Sequence, residues 1–307
     1  MEIIKGNHPV LLYNEIAATI GFFDGVHRGH RFLLEQLKKQ AKEHNLPSML
    51  ITFPQFPQSV IKTGLQPELL NTFNEKIYQL SLLGIDYCLL MDFTHSFSQL
   101  TAKEFIQKKL KDEWNVRLLL IGYDHRFGKN REESFEDYLK YGRECGMEII
   151  QASELQDVSI SSTYIRKCLS GGKLNEANNM LSYFYRLEGK VIEGERIGSK
   201  IGFPTANLEI NDKNKIIPGE GVYAAWVYFK QKKYGGMVYI GKRPTVSTIG
   251  EKRIEVNIFD FSGDLYGETL ILEFVEYLRE DKQFGCLEEL KKQLSHDKES
   301  TVSVLDR

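Results

Sequence analysis

Cysteine is scarce in this sequence, and long apolar runs are lacking. The chain has four cysteines, none in a Cys-x-x-Cys pair: Cys88, Cys145, Cys168 and Cys286. This spacing argues against a zinc or thiol-redox motif and is typical of reduced thiols in a cytosolic protein. No apolar run approaches the length of a membrane span, and the first residues lack the apolar core of a signal peptide. We therefore expect a cytoplasmic protein with no membrane partner.

Neither sign of charge dominates the 307 residues, whose formal net charge is −2. This balance gives no electrostatic reason to expect nucleic acid as a partner. Internal repeats and low-complexity tracts are also lacking, and the hydrophobic fraction of 42% is that of an ordinary globular protein. The length predicts about two domains. We expect small molecules as partners, and either a monomer or a weak homo-oligomer.

The most informative stretch is GFFDGVHRGH at residues 21–30, between an apolar run and a segment with helical period. It falls where a strand passes into a helix, whose N-terminus offers unpaired amides and a positive dipole end to a phosphate. Gly25 and Gly29 let the backbone approach a ligand closely. His27 and His30 share one face of the first helical turn and suit transfer at a phosphoryl group. The alternatives are surface histidines or a zinc site, which lacks further ligands nearby.

Continuously apolar segments alternate with helical ones through the first half. Strands are predicted at 47–53, 87–91, 116–121 and 147–150, and helices at about 29–44, 74–83, 101–114 and 134–145. This alternation predicts a doubly wound, mainly parallel sheet with helices on both faces. Ligands of such sheets bind at the carboxyl ends of the strands. Three unusual loops follow predicted strands there, at 21–30, 122–129 and 159–166.

The third of these loops has the sequence ISSTYIR at 160–166. Its hydroxyl residues Ser161, Ser162 and Thr163 stand at a helix start, where they can cap the helix and also bind phosphate oxygens. Arg166 follows one turn later, and its planar guanidinium could clamp a triphosphate. The alternative is an ordinary capped helix with Arg166 as a solvated surface charge.

The pattern changes to alternation with frequent glycines after residue 182, and we place a domain boundary between 182 and 183. Strands are predicted at 222–228, 233–240, 254–259 and 269–274, and an amphipathic helix at 287–294. Several short strands over this length predict a closed antiparallel barrel with a terminal helix packed on it.

A second motif, GSKIGFPTAN at 198–207, opens the barrel half. Gly198 and Gly202 lie in a loop that can lie against phosphates, and Thr205 and Asn207 offer neutral oxygens to Mg²⁺. The alternative is a barrel turn whose geometry Pro204 fixes.

The first half resembles the nucleotidyltransferase domain of bacterial FAD synthetases. Residues 21–30 follow that family's Gly-x-Phe-Asp-Gly-x-His-x-Gly-His, and residues 160–166 match its Ile-Ser-Ser-Thr-x-Ile-Arg completely. Residues 122–128 are similar to its Gly-x-Asp-Phe-x-Phe-Gly, with His125 where an aromatic is usual. A further departure is Phe56, where the family tends to carry a histidine between two prolines.

The second half resembles the riboflavin kinase module. Residues 198–207 match its Gly-x-x-x-Gly-Phe-Pro-Thr-Ala-Asn, and Gly241-Lys242-Arg243-Pro244-Thr245 is similar to its Asn-Ile-Gly-x-x-Pro-Thr. Residues 253–257 contain the glutamate of its Glu-x-His strand. Tyr239 replaces the asparagine of the first pattern and Asn257 the histidine of the second, so those two roles do not carry over.

The resemblance implies two reactions, with Mg²⁺ as cofactor: the barrel would phosphorylate riboflavin to FMN with ATP, and the first domain would adenylylate FMN to FAD with a second ATP and release pyrophosphate. It implies catalytic roles for Glu255, as the base for the 5′-hydroxyl of riboflavin, and for His27, His30 and Arg166. It implies ligand contacts by Gly21, Phe23, Asp24, Gly25, Gly29, Asp124, Ser161, Ser162, Thr163, Gly198, Gly202, Pro204 and Arg279, and metal contacts by Thr205 and Asn207.

Several alternatives stay open at this point. Glu255 could be an exposed strand residue, and Arg279 could form a structural salt bridge instead of meeting a flavin phosphate. At the level of function, the rivals are a transferase for another phosphate ester and a flavin-binding module without turnover.

Overall fold

The computed structural model describes residues 1–6, 15–61, 68–129, 131–156, 160–194, 198, 201–242 and 252–306. Their contacts divide the chain into two units, Met1–Ile160 and Ser161–Arg307. Within the described residues, no helix combines the length and the apolar character needed to cross a membrane.

The first unit is built around a sheet of six strands. In chain order its elements are β1 (Glu2–Lys5), β2 (Ile16–Ile20), α1 (Arg28–Glu43), β3 (Ser48–Thr52), α2 (Pro57–Ile61), α3 (Phe73–Ser81), β4 (Tyr87–Leu90), α4 (His95–Ser98), α5 (Ala102–Glu104) continued by a π-helix (Phe105–Glu113), β5 (Val116–Ile121), α6 (Phe135–Glu144) and β6 (Glu148–Gln151). The strand order is β1-β4-β3-β2-β5-β6, and every neighbouring pair is parallel. The predicted parallel sheet is confirmed.

Both faces of the sheet are covered, as the apolar strands required. All five residues of β2 are buried. Ile16, Ala18 and Ile20 pack in one apolar cluster with Phe105 and the other residues of that face, whereas Ala17 packs in the opposite cluster with Leu34 and Leu37 of α1. Alternate residues of one strand therefore serve two cores, which explains why the strand sequences are continuously apolar.

Strand order reverses between β2 and β5. From β2 the chain proceeds to β3 on one side of the sheet, whereas β5 lies on the other side of β2. The loops that follow β2 and β5 therefore leave the carboxyl ends of two strands that flank a topological switch point. Such a point leaves a crevice in which ligands of open parallel sheets bind.

The second unit contains a closed barrel of six antiparallel strands with the order β10-β11-β8-β7-β12-β9. Its elements are α7 (Ser162–Ser170), α8 (Leu174–Leu181), β7 (Tyr185–Ile192), β8 (Ala206–Glu209), β9 (Gly221–Phe229), β10 (Lys232–Lys242), β11 (Lys252–Ile258), β12 (Thr269–Arg279) and α9 (Leu287–Leu305). Helix α9 packs on β9, β10 and β12. The predicted barrel with a terminal helix is confirmed, and the helix is longer than the predicted 287–294.

Helices α7 and α8 are hydrogen-bonded to the barrel. The amide of Asn178 donates to the carbonyl of Phe274 at 2.9 Å and accepts from the backbone N–H of Tyr185 at 2.8 Å. The backbone N–H of Gly219 donates to the carbonyl of Leu169 at 2.9 Å. The helix that begins with the hydroxyl residues is thus part of the barrel unit, and the functional boundary between 182 and 183 stays a prediction.

Candidate active sites

The loop after β2 has an unusual backbone. Gly25 has a φ of +82°, and the non-glycine residues Phe23 and Val26 have φ values of +57° and +39°. A positive φ is unfavourable for any side chain and most of all for a β-branched one. Two hydrogen bonds hold Val26 in place, since its N–H donates to the carbonyl of Phe23 and its carbonyl accepts from Nε of Arg31. Strain of this kind is typical of ligand-binding loops.

The two histidines of this loop lie against each other. His27 caps α1, and its Nδ1 accepts from the backbone N–H of His30 at 3.4 Å. Their rings are stacked with centroids 3.7 Å apart, and the edge of Phe23 lies against His30. Gly29 makes this possible, because a Cβ there would be 3.3 Å from the His27 ring. Nδ1 of His30 is buried and has no hydrogen-bond partner among the described residues, as expected of a group that awaits a ligand.

Burial lowers the pKa of both imidazoles. The pKa of His27 falls to about 4, mainly because its surroundings exclude water. The pKa of His30 falls well below 6.5 for the same reason, and the nearby His27, His125 and Lys76 lower it further. Both rings are therefore neutral at pH 7. A neutral imidazole carries one N–H, which each ring could donate to a phosphate oxygen.

The remaining predicted residues of this loop have mainly structural contacts. Asp24 is buried and accepts from the backbone N–H groups of Leu70 and Asn71, so it anchors a neighbouring segment. A Cβ on Gly21 would lie 3.0 Å from the ring of Phe23. Phe56 packs edge-on against Phe22, with ring centroids 5.1 Å apart. Ligand contacts by Gly21, Phe23 and Asp24 stay predictions.

The loop after β5 brings a third histidine and an acidic residue to the same edge of the sheet. Asp124 is exposed, and its charge acts on both His27 and His125. Burial is the main cause that lowers the pKa of His125 to about 4. His125 also contributes to the low pKa of His30, so the loops after β2 and β5 share one electrostatic environment. The sequence had marked His125 only as a departure from the family pattern.

The hydroxyl motif forms the start of α7, as predicted. Ser161 is the N-cap and accepts from the backbone N–H of Tyr164 at 3.2 Å. Ser161 and Thr163 are exposed, while Ser162 and Arg166 are half-buried. The capping role is confirmed, whereas the phosphate-binding role of these residues stays a prediction.

In the second unit, the side chain of Glu255 is only 17% exposed and is held from two sides. One carboxylate oxygen lies 2.6 Å from Nε of Arg253, and the other accepts from the hydroxyl of Thr205 at 2.9 Å. Glu255 pairs directly with Asn207 across β11 and β8. The register of two strands thus brings together the three residues for which the sequence predicted chemistry.

The loop before β8 has a conformation that requires glycine at two positions, Gly198 and Gly202. The N–H groups of Ile201 and Phe203 both donate to the carbonyl of Gly198, and a Cβ on Gly198 would overlap the carbonyl of Phe203. Gly202 has a φ of +88°. A cavity of about 310 Å³ opens beside this segment; among its lining residues are Gly194, Pro204, Thr205, Asn207, Phe261 and Tyr266.

The oxygen donors at this cavity fit a magnesium ion that is shared with substrate phosphates. Thr205 donates its proton to Glu255, which leaves its lone pairs for a cation. Oδ1 of Asn207 accepts a long hydrogen bond of 3.4 Å from Nε of Arg253. Mg²⁺ prefers a few protein oxygens together with phosphates and water. Within the described ranges, no three His, Cys, Asp or Glu residues cluster as a separate metal site.

Arg279 forms the salt bridge that was one of its two predicted roles. Its Nη2 lies 2.7 Å from Oδ2 of Asp297, its Nε donates to both oxygens at 3.0 Å, and Asp297 is buried. The pair fastens the end of β12 to α9. A contact with a flavin phosphate stays a prediction.

The two departures from the kinase pattern also have partners. Asn257 is buried and donates to the carbonyl of Pro204 at 2.6 Å, so it supports the glycine loop. Tyr239 is opposite Glu255 in the register and donates to Asp281 at 3.0 Å. Of the segment 241–245, Arg243, Pro244 and Thr245 lie outside the described residues, as do Ser199 and Lys200.

In comparisons with known proteins, the two halves of the chain match two different family models. A family model for FAD synthetase matches residues 12–164, and one for riboflavin kinase matches residues 181–305. The bifunctional riboflavin kinase/FMN adenylyltransferase of Escherichia coli strain K12 is 36% identical over 302 residues, which cover 97% of this chain and 96% of the relative. The Haemophilus influenzae protein of the same name is 34% identical, with all of both chains covered. The Bacillus subtilis protein is 33% identical, with 98% of each covered.

A solved structure also shares the fold over the full length. The crystal structure named macrolide-efflux protein, from Streptococcus pneumoniae, aligns with a TM-score of 0.87 and 30% identity, and covers 98% of this chain and 99% of its own. The name macrolide-efflux protein applies to that structure. The two family models and the curated relatives match both halves of the present sequence. The chain therefore belongs to the family of bifunctional riboflavin kinase/FMN adenylyltransferases.

Proposed function

We propose that the chain makes FMN from riboflavin in its barrel unit and FAD from FMN at the histidine site, with ATP as the donor in both reactions. The observation that carries this proposal is that motif residues lie together at one place in each unit. The histidine loop lies at the switch point of the parallel sheet, and Glu255, Thr205 and Asn207 meet beside the barrel cavity.

In riboflavin phosphorylation, Glu255 accepts the proton of the 5′-hydroxyl while the oxygen attacks the γ-phosphorus of ATP. The bond to the β-phosphate oxygen breaks, and ADP leaves. Arg253 keeps the carboxylate oriented. Thr205 and Asn207 would hold Mg²⁺, which neutralises phosphate charge when bound.

In adenylyl transfer, a phosphate oxygen of FMN attacks the α-phosphorus of ATP, and the bond to the β-phosphate oxygen breaks to release pyrophosphate. The N–H groups of His27 and His30 stabilise charge on the α-phosphate oxygens. The negative charge of a bound triphosphate raises the pKa of both imidazoles from their low values in the free protein, which strengthens this donation. Ser161, Ser162, Thr163 and Arg166 are proposed to contact the phosphates.

Incubation with riboflavin and Mg·ATP, followed by chromatographic separation of the flavins, tests the proposal. We expect FMN to form first and FAD later, with one ADP per FMN and one pyrophosphate per FAD. FMN supplied directly should give FAD without ADP. Flavin binding without nucleotide consumption would instead support a binding module, and adenylylation of other phosphate esters in preference to FMN would support the rival transferase.

A further inference from the structure

Lys76 of α3 is buried with 3% of its surface exposed, an unusual position for a lysine. Its ammonium donates to the carbonyl of Phe53 at 2.8 Å and to the carbonyl of Phe22 at 3.1 Å. A longer contact of 3.4 Å reaches the hydroxyl of Thr52, and the ring of Phe22 lies 4.1 Å away. One cation thus joins the loop after β2 to the end of β3, its neighbour in the sheet.

The segment around Lys76 also contacts the loop at 21–30 and the first turn of α1. The N–H groups of Leu70 and Asn71 hold the carboxylate of Asp24, and Gln79 accepts from Arg31 of α1 at 2.8 Å. Helix α3 itself is fixed by a capping box between Thr72 and Glu75. Residues 70–79 therefore form a rigid support whose contacts lie on the loop that carries His27 and His30.

The charge of Lys76 also acts on the site. Burial lowers its pKa to about 8, against the opposing influence of Asp24 and Cys88, so the side chain is predominantly an ammonium at pH 7. That charge is one of the causes that lower the pKa of His30. The lysine therefore favours the neutral imidazole that donates an N–H to a phosphate oxygen.

We propose that Lys76 is a positioning residue for adenylyl transfer, whose ammonium fixes the strand-end carbonyls of Phe22 and Phe53 and thereby holds His27 and His30 in the geometry that acts on the α-phosphate. The inference rests on the proposed transfer of AMP to FMN. Lys76→Met removes a donor from the carbonyls of Phe22 and Phe53, so some loss of stability is expected from either role. The two roles differ in kcat for FMN adenylylation by the folded protein, which only a positioning role lowers.

The variants Lys76→Met and Lys76→Arg of the full chain test this inference. Misplacement of reacting groups by about 1 Å can reduce a rate ~10²-fold, so we expect Lys76→Met to lower kcat for FMN adenylylation by roughly 10- to 100-fold with a smaller change in KM. Riboflavin phosphorylation by the same chain should stay near that of the wild type, whereas the first unit should unfold at a somewhat lower temperature because buried carbonyls lose a donor. Lys39→Met, on an exposed face of α1, is the matched control and should change neither reaction.

The pH profile separates positioning from a general structural effect. Wild-type FAD formation should fall as pH rises through about 8, because the ammonium of Lys76 is lost there. The groups that face Lys76 are Asp24 from the loop after β2, Cys88 from β4 and His30 from α1. Burial raises the pKa of Cys88 to about 12, and the pKa of His30 lies below 6.5, so neither titrates near pH 8. Lys76→Arg keeps its charge and should not show this fall.

The outcomes are distinguishable. A wild-type kcat in Lys76→Met would overturn the inference. So would a wild-type fall above pH 8 in a folded Lys76→Arg, even if Lys76→Met failed to fold. Absence of FMN adenylylation by the wild type would remove the proposed function itself and, with it, this inference.

Discussion

The two candidate sites are constructed in opposite ways. In the first unit, the histidines follow a loop with positive φ values, which is held from outside by Arg31, by Lys76 and by the backbone N–H groups that bind Asp24. In the second, Glu255 and Asn207 are directly paired on neighbouring strands, and the register alone sets their separation. The geometry of the loop site therefore depends on the hydrogen bonds that hold the loop. The geometry of the strand site depends on the pairing of β8 with β11, because a register slip of one residue would turn every side chain of a strand to the other face.

The largest expected effect is a loss of riboflavin phosphorylation when Glu255 is replaced, with conversion of FMN to FAD unchanged. Glu255→Gln keeps the size and polarity of the side chain but cannot accept a proton, and a general base contributes ~10²–10⁴ in rate. We expect FMN production to fall by that factor while supplied FMN is converted to FAD normally, as measured by flavin chromatography. Glu188→Gln, an exposed glutamate on β7, is the matched control. Normal FMN production in Glu255→Gln would return Glu255 to an ordinary strand residue.

Replacement of His30 in the first unit should instead impair FAD formation and leave FMN formation intact. His30→Ala removes a preorganised donor, which typically reduces a rate by ~10²–10³, so FAD formation should fall and FMN should accumulate. His44→Ala, at the exposed end of the same helix, serves as control. Equal loss of both reactions in His30→Ala would point to misfolding or to a single shared site.

Acid should weaken the first unit before the second. The folded-state pKa of His27 is about 4 and the unfolded value is 6.5, so between these pH values the unfolded state binds more protons. Stability from this group is present above pH 6.5 and is lost as pH falls toward 4. The loss is on the order of 3 kcal/mol at about 1.4 kcal/mol per pKa unit.

Urea unfolding at pH 7 and pH 5 would measure the part of this loss that falls in that interval, about 2 kcal/mol. The one histidine of the second unit, His296, is exposed, so its transition should move less. His27→Asn, which retains a capping side chain, should reduce the response of the first unit, and the remainder is expected from His30 and His125, whose pKa values burial also lowers. An unchanged response in that variant would assign the acid sensitivity elsewhere.

The smallest expected effect is on the melting temperature of the barrel unit, and it tests whether α7 and α8 stabilise that unit. Asn178→Ala removes two hydrogen bonds, one to the carbonyl of Phe274 and one from the N–H of Tyr185, and each contributes about 0.5–1.5 kcal/mol. We expect the melting temperature of the barrel unit to fall by several degrees. Asn175→Ala, elsewhere on the exposed side of α8, is the control. Equal melting curves would mean that α7 and α8 contribute little to the barrel and would favour a structural boundary near residue 182.

Most of the architecture could be predicted from local sequence. The continuous apolar strands and the capping box at Thr101 were predicted correctly, because period and cap chemistry are encoded within a few residues. The edge strand β1 was missed because only two of its four residues are apolar, and β8 was missed because it begins inside the motif at 198–207. The predicted helix at 287–294 stopped short because the later turns of α9 bury Thr301 and Asp297, polar residues that do not mark an apolar face.

The site was predicted in part. Motifs identified His27, His30 and Glu255, but not the residues that hold them. Lys76 was missed because a lysine in an amphipathic helix ordinarily faces water. A signal was present nonetheless: Lys76 is three residues after Phe73 and four before Leu80, on the apolar face of α3. The pairing of Arg253 with Glu255 follows from a face shared by i and i+2 on a strand, a relation open to sequence reasoning.

The conformation of Val26 has a consequence for directed evolution. A β-branched residue at a φ of +39° carries a conformational penalty of about 1–3 kcal/mol, which glycine largely avoids and asparagine reduces. The same side chain is fully buried in the apolar cluster that contains Leu34 and Leu37, so glycine would leave a cavity and asparagine would bury an amide. A library screened only for heat resistance should therefore retain valine at this position despite its φ. Recovery of glycine there would show that the backbone penalty outweighs the packing of the side chain.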